Sequence, residues 1–520
     1  MNQNIDSGLG SDRLDGASVA SSSNSETAQP EAPQPREADG VIEEASAPAA
    51  DPSSRRSLLL RSGLAALSGL GAMNWSAKAS AAPAAAAAGQ HTLVILYLRG
   101  GCDGLSIVAP RVVGGGADLF YEAQRLSPNN VQLAIPAPGV TNGGTPLKNS
   151  AGVDIPWMLA PSAAYAQSMY DSGALAFIHG CGSPVLQNGS HFYSQDYMED
   201  GTEIGTSVIS DGRGWAGRAM GLGVSPSLLR GFGWGKFLQR TLFGAPKTVA
   251  IPDPANYNLG GVPASEALRK LAVEYLYNVS DEPLKSTAAN SLATLAEINA
   301  TGIFTKPSTA SYPNSPFGVQ LKRLQQLIQA SADPTIALNL ETVMLDYGDW
   351  DNHINLGPQS MISGGGMYYR VKDVFAAIAA FHEDLKVHAP GANYTFVAMT
   401  EFGRRITANG DDGVDHGRGS LMWVFGPPGT VRGRNVYTML PVVGGGQGTV
   451  PGWAGLSAHA ELQGGTANSY NVISNIDYRR VLGEIVEKRL LLTHSQISTG
   501  VFPSYPYESA RQYAALNLMV

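Results

Sequence analysis

Two carboxylates and an imidazole fall within five residues in Gly348-Asp349-Trp350-Asp351-Asn352-His353. Carboxylate oxygen and imidazole nitrogen are the usual protein ligands of zinc, iron and manganese, and a short irregular segment can aim both at one ion. Such a stretch also reads as a surface turn, because Asp and Asn hydrogen-bond to their own backbone. What favours metal chemistry is repetition. Gly100-Gly101-Cys102-Asp103-Gly104, Ser190-His191, Glu401-Phe402-Gly403-Arg404 and Asp415-His416-Gly417 carry similar groups, each at a strand end or in the loop beyond it.

The elements that must position these groups are legible as apolar runs. His91-Thr-Leu-Val-Ile-Leu-Tyr-Leu98 is continuous and rich in β-branched residues, which predicts a central strand buried on both faces. Asp103 then stands near a strand's carboxyl end, where open α/β sheets place their ligands; a plain glycine-rich turn is the competing reading. The glycines there lack the spacing of a dinucleotide fingerprint. Further strands are expected at Ala174 to His179, Tyr394 to Thr400 and Leu421 to Phe425, with a short one at Val131 to Ile135. Ser190 is placed to cap a helix beginning His191-Phe192-Tyr193, and its hydroxyl reads as a cap or as a nucleophile. The same helix N-terminus would favour an anionic substrate. Apolar periodicity at 266–277, 286–299, 315–330 and 336–345 predicts four helices, a helical insertion or cap over 262–347. A long helix over Met367 to His388 puts Val371, Val374, Phe375, Ile378 and Phe381 on its buried side and leaves His382 and His388 to surface or helix-end roles. A last helix is expected at 478–490. Helix alternating with buried strand is the pattern of a doubly wound, mostly parallel α/β sheet.

Composition bounds the rest. Of 520 residues, 43% are hydrophobic, enough for a large core, and 61 glycines with 32 prolines imply many loops. Residues 1–53 are acidic, Ser/Ala/Pro-rich and without apolar periodicity, and read as a disordered tail. Ser54-Arg55-Arg56-Ser57-Leu58-Leu59-Leu60, a weakly apolar stretch and Ala77-Lys78-Ala79 then read as a twin-arginine export signal over 54–79, followed by an Ala-rich linker at 80–90. The expected location is periplasmic or secreted, with the twin-arginine translocation machinery as a partner and no stable membrane span in the mature form. The chain's net charge is −8; residues 1–51 contribute −8 and residues 52–79 contribute +4, leaving −4 beyond them. A mildly acidic mature chain offers no electrostatic footprint for nucleic acid. Cys102 and Cys181 both follow apolar runs and could pair or stay free and buried.

Taken together, these segments resemble the exported bacterial family of unknown function DUF1501, whose members resemble the alkaline phosphatase and sulfatase superfamily. The matching pieces are the arginine-pair leader, Leu98-Arg-Gly-Gly-Cys-Asp-Gly-Leu105, Gly189-Ser-His-Phe192, Gly348 to His353, Thr400-Glu-Phe-Gly-Arg404 and Asp415-His-Gly417. The resemblance implies an alkaline phosphatase-like domain over 91–500, with a C-terminal tail at 501–520. It implies one or two divalent ions, with zinc, manganese, calcium and magnesium not distinguished. Asp103 resembles the first-strand ligand and Asp415 with His416 the paired ligand. His353 with Asp349 or Asp351 resembles a second group, with Glu401 and His191 as further ligands. No sulfatase-type Cys-x-Pro-x-Arg is present, which argues against formylglycine chemistry.

The implied activity is metal-dependent hydrolysis of an anionic phosphate or sulfate ester on a small molecule or glycan. Ser190 and Ser183 are the candidate nucleophiles, alongside a water molecule. Arg99 and Arg404, with Arg405, are candidate clamps for the anion; each could equally pair with a site carboxylate. Two other classes fit the same residues. One is an exported scaffold or carbohydrate-surface-binding protein that keeps the fold without a nucleophile. The other is iron-dependent oxidation at a triad of Asp351, His353 and His416.

Overall fold

The computed structural model describes residues 91–520 except 184–188, 203–210, 224, 226, 228, 260–264, 283, 301, 334, 335, 337, 358–365, 439–454, 463–468, 504 and 508–515. The expected acidic tail, export signal and linker all lie outside the described residues.

A mixed α/β architecture is built on one large, mainly parallel sheet. Its strands, in chain order, are β1 (His91–Leu98), β2 (Leu175–Gly182), β3 (Gly231–Trp234), β4 (Thr248–Ile251), β5 (Thr342–Tyr347), β6 (Asn393–Met399), β7 (Ser420–Phe425), β8 (Val436–Tyr437) and β9 (Ile476–Asp477). In space the order is β8-β2-β7-β6-β1-β5-β3-β4, with β9 also pairing β2. β1 pairs in parallel with β6 from His91↔Asn393 to Tyr97↔Met399, and with β5 from Leu93↔Thr342 to Leu98↔Tyr347. The carboxyl ends of β1, β5 and β6 therefore finish at one edge. β7 runs antiparallel to both β6 and β2, so it begins at that same edge, where β2 ends.

Alternation along β1 explains the layering. Val94, Leu96 and Leu98 enter one core and Leu93, Ile95 and Tyr97 the other. The first core is completed by the helices Pro316–Ser331, through Leu321 and Leu324, and Gly366–His388, through Val371, Phe375 and Phe381. The second is completed by Trp215–Leu222 and Tyr478–Arg489, through Trp215, Val481 and Ile485. A strand buried on both faces has no polar side to show, which is why β1 reads as an unbroken apolar run. Phe502, Tyr507 and Leu518 are fully buried in the second core, so parts of the C-terminal tail pack against the domain.

Several expectations require correction. The fourth helix expected at 336–345 gives way to β5, which lies beside β1 in the sheet's centre. A buried run this short carries no periodicity that separates helix from strand. Helices do form at Glu266–Asn278, Leu284–Ala300 and Pro316–Ser331. In place of a strand at Val131 to Ile135 there is an isolated bridge between Leu126 and Gln132. His382 is buried, and its Nδ1 lies 2.7 Å from the Tyr394 hydroxyl, so it belongs to the core and not to the surface. Cys102 and Cys181 are free and buried; Cys181 Sγ lies 3.1 Å from Met422 Sδ. Among the described residues, no helix is long and apolar enough to cross a membrane.

Candidate metal centre

Four segments bring ligand groups to the shared strand edge. Past β2, Ser190 takes the N-cap position of α1 (His191–Asp200), which puts His191 in the first turn. Past β5, the loop Gly348 to His353 is pinned by the buried Trp350, whose N–H donates to Arg99 O at 3.1 Å. Gly100 makes this approach possible. Its φ is +119° and a Cβ there would lie 2.6 Å from Asp351 N, so only glycine fits. Past β6 comes Glu401, fully buried, and a hairpin of Arg404–Ala408 and Val414–His416 then delivers Asp415 and His416.

The ligand atoms of His191, Asp351 and His416 all lie within 4.8 Å of one another. His191 Nε2 is 3.0 Å from His416 Nε2 and 3.4 Å from Asp351 Oδ2. His353 Nε2 lies beside this group of three, 2.8 Å from His416 Nε2 and 3.2 Å from Asp351 Oδ1. Donors about 2.05 Å from a tetrahedral ion stand roughly 3.3 Å apart, and these separations scatter around that value.

Hydrogen bonding behind the rings decides what they present. His191 Nδ1 lies 2.8 Å from Glu401 Oε1, and His353 Nδ1 lies 3.1 Å from Asp415 Oδ1. An ionised carboxylate only accepts, so both Nδ1 atoms donate and both neutral rings turn an Nε2 lone pair toward the centre. His416 bonds through its far side to the Gly189 backbone, so its Nε2 faces the centre as well. Converging lone pairs need an electrophile, and a divalent cation is the natural one.

Charge supports the same arrangement. Burial would raise Asp351, but the hydrogen bond and charge of Arg404, helped by His191 and His353, outweigh it and hold the carboxyl below its ordinary value. Burial would also raise Glu401; hydrogen bonds from His191, Gln195 and the Gly100 N–H keep it low. Asp415 is kept low against burial by Asn409, His353 and Arg405. Burial first, then the Arg404 charge and the two facing imidazoles, lowers His416 to about 4, leaving it neutral and able to ligate at neutral pH.

Not every expected residue joins the centre. Asp103 is 1% exposed and takes a two-pronged bond from Arg125, at 2.7 and 2.8 Å, and the Ser106 hydroxyl at 2.5 Å. It is a structural anion, not a ligand presented to the cluster. Asp349 is exposed with φ +66°, on the far side of Trp350 in sequence from Asp351, which is the carboxylate that reaches the imidazoles. Glu401 and Asp415 stand behind the rings as acceptors. Arg99 bonds to Glu199 at 2.5 Å, Asp346 at 2.9 Å and Gln195 at 3.2 Å, so it is not set aside as an anion clamp. Arg404 donates to Gly100 O, Gly101 O, Val414 O and Asp351, and its Nη1 lies 3.3 Å from His353 Nε2, so it too is not set aside as an anion clamp. Arg405, partly exposed, pairs with Asp415 at 3.3 Å. Ser190 is half-buried beside His191, whereas Ser183 is buried at the end of β2.

Two contributors escaped the sequence reading. Gln195, one helical turn beyond His191, donates to Glu401 at 3.0 Å, and Asn409 donates to Asp415 at 3.0 Å. The four-residue spacing from His191 was the available signal for the first; Asn409 depends on the hairpin's geometry.

A family model described as a protein of unknown function, DUF1501, matches residues 331–448, which hold Asp351, His353, Glu401, Arg404, Asp415 and His416. The match covers less than a quarter of the chain. No curated protein matches it. Among solved structures the chain is similar to the 2-O GAG sulfatase BT1596, at 13% identity and a TM-score of 0.21, over 67% of this chain and 66% of that one, just under two thirds of its length. A likeness so distant has no bearing on the chemistry. The matched region supplies Asp351 and His416 of the group of three, with His353 beside them, and α1 supplies His191 from outside it.

Proposed function

We propose that this chain is an exported metal-dependent hydrolase of phosphate or sulfate esters, with a sheet of the alkaline phosphatase type. The observation that carries the reading is the convergence of His191, His353 and His416 Nε2 on Asp351, with two rings backed by carboxylates. A divalent ion held there would supply Lewis acidity, polarising an ester oxygen and lowering the pKa of a water molecule.

The chain's own residues account for orientation and charge. Within the ligand shell neutral imidazoles and one carboxylate compensate only half the charge of a divalent ion, and outside it the carboxylates of Glu401 and Asp415 are balanced by Arg404 and Arg405. An anionic ester is drawn to such a centre more strongly than a neutral one. Glu401 and Asp415 hold the ring tautomers, and Ser190, adjoining His191, is the nearest candidate hydroxyl in sequence. The side chains that follow two of the ligands, Phe192 at 84% exposure and Ile354 at 65%, offer apolar surface for the organic part of the ester.

The test is elemental analysis of the purified protein combined with assays on aryl phosphate and aryl sulfate esters. Bound divalent metal together with turnover that chelator abolishes is the expected result. Metal without turnover on any ester would favour a binding or scaffold role, and a redox-active iron would favour oxidation.

A further inference from the structure

Arg404 lies within the centre yet cannot touch a substrate. Its side chain is wholly buried, and its nitrogens are engaged by Gly101 O at 2.7 Å, Val414 O at 3.2 Å, His353 Nε2 at 3.3 Å, Asp351 Oδ1 at 2.5 Å and Gly100 O. Three carbonyls and a carboxylate oxygen are the ligand set of a hard divalent cation. Here they hold a guanidinium. Asp351 joins it to the imidazole cluster: Oδ1 meets Arg404 and also stands 3.2 Å from His353 Nε2 and 3.6 Å from His416 Nε2, while Oδ2 lies 3.4 Å from His191 Nε2.

A second, independent observation points the same way. Asp103, the acidic group that β1 sends toward this edge, is engaged on both oxygens by Arg125 and on one of them by Ser106 as well. A second ion would therefore have to take Asp103 from Arg125, or Glu401 or Asp415 from the imidazole each one holds. It would also have to displace or overlap a buried positive charge that the protein cannot move or deprotonate.

We propose that Arg404 is a tethered cation standing where a second ion would otherwise sit, so that the centre binds a single divalent ion and Asp351 is fixed by the arginine on its other side. This rests on the metal-centre reading above. Arg404 is a positioning residue, not a catalytic one.

The test is stoichiometry and spectroscopy on the whole protein loaded with Mn2+. One Mn2+ per chain is expected, with the uncoupled electron paramagnetic resonance spectrum of an isolated ion. Two ions per chain, or the spectrum of an exchange-coupled pair, would overturn the proposal while leaving the metal centre intact. Zero ions would remove the centre itself, and the proposal with it. Arg404→Lys keeps the charge and should still stop at one ion. Arg404→Gln removes the charge and opens the oxygen cage, and the expected change is uptake of a second Mn2+. A folded Arg404→Gln protein that still stops at one ion would show that the guanidinium is not what sets the count. If that variant does not fold, the wild-type count and the Lys variant still decide.

Discussion

The Nε2 atoms of His191 and His416 stand 3.0 Å apart, although the residues are 225 positions apart and come from a helix and a hairpin. Two neutral imidazoles can share one proton across that gap, but His353 Nε2 also faces His416 at 2.8 Å. With the ring protons of His191, His353 and His416 directed outward to Glu401, Asp415 and the Gly189 backbone, the facing Nε2 atoms carry lone pairs that one cation can serve. His191→Ala, His353→Ala and His416→Ala should each lower affinity for Zn2+ or Mn2+ by more than the roughly 10- to 100-fold associated with outer hydrogen-bond partners. Competition against a chromogenic chelator measures this. Unchanged affinity in any one variant would remove that ring from the ligand set.

Glu401 and Asp415 act one layer out. Glu401→Gln and Asp415→Asn keep the shapes but can no longer act as charged acceptors for the Nδ1 protons of His191 and His353. Metal affinity should fall roughly 10- to 100-fold in each, less than for loss of a ring. Calorimetric titration of the two variants with Zn2+ would test the ranking, and a loss larger than that of His191→Ala would make Glu401 a ligand in its own right.

Metal should also stabilise the fold. An ion that binds only the native state contributes about 2.7 kcal/mol when present at a hundred times its dissociation constant. Thermal melts with and without chelator should differ, and the difference should vanish in His416→Ala. An identical melting temperature under both conditions, with metal known to be bound, would mean that the unfolded chain binds it as well.

How much of this was readable in the sequence depends on the residue. β1 and β6 were legible because a strand buried on both faces leaves an uninterrupted apolar run, and their ends located Gly100 and Glu401 correctly. β5 was not, because a buried run of six residues gives no period, and misreading it as helix hid that the Gly348 to His353 loop leaves the sheet's centre. Residue type showed that Asp103, Asp349 and Asp351 could all ligate. It could not show that Arg125, 22 positions on, takes Asp103, nor that Trp350 buries itself between two carboxylates and leaves Asp351 to reach the imidazoles. Arg404 misled for the same reason: a guanidinium suited to clamping an anion is equally suited to tying three carbonyls and a carboxylate together.

The reassignment of Asp103 has a direct consequence. Arg125 is 0% exposed, and removing its partner would leave a buried, uncompensated cation. Asp103→Ala should cost about 3–5 kcal/mol of stability, as breaking a buried pair does, without lowering metal content in the protein that remains folded. Urea denaturation alongside elemental analysis tests both halves. Loss of metal with little loss of stability would restore Asp103 to the ligand set.

Stability should also fall in mild acid through two histidines outside the centre. His91 is lowered to about 4 by burial and then by the Arg489 charge, partly offset by its bond to Asn393; His382 is lowered to about 4 chiefly by burial. In the unfolded chain both take up a proton near the ordinary 6.5, so between 6.5 and 4 the unfolded state binds more protons and stability declines as pH falls. The decline levels off below about 4, where the folded rings are protonated too, and each histidine can account for at most about 3 kcal/mol across the window. This is separate from the acid loss expected of Asp351, Glu401 and Asp415, whose lowered carboxyls contribute stability above the ordinary carboxylate range and lose it at lower pH. Urea midpoints measured in chelator at pH 7, 6, 5 and 4.5 should show the slope, and His382→Gln should make it shallower by about half. An unchanged slope in that variant would mean that His382 takes up its proton within the folded core, with the Tyr394 hydroxyl turning to accept it.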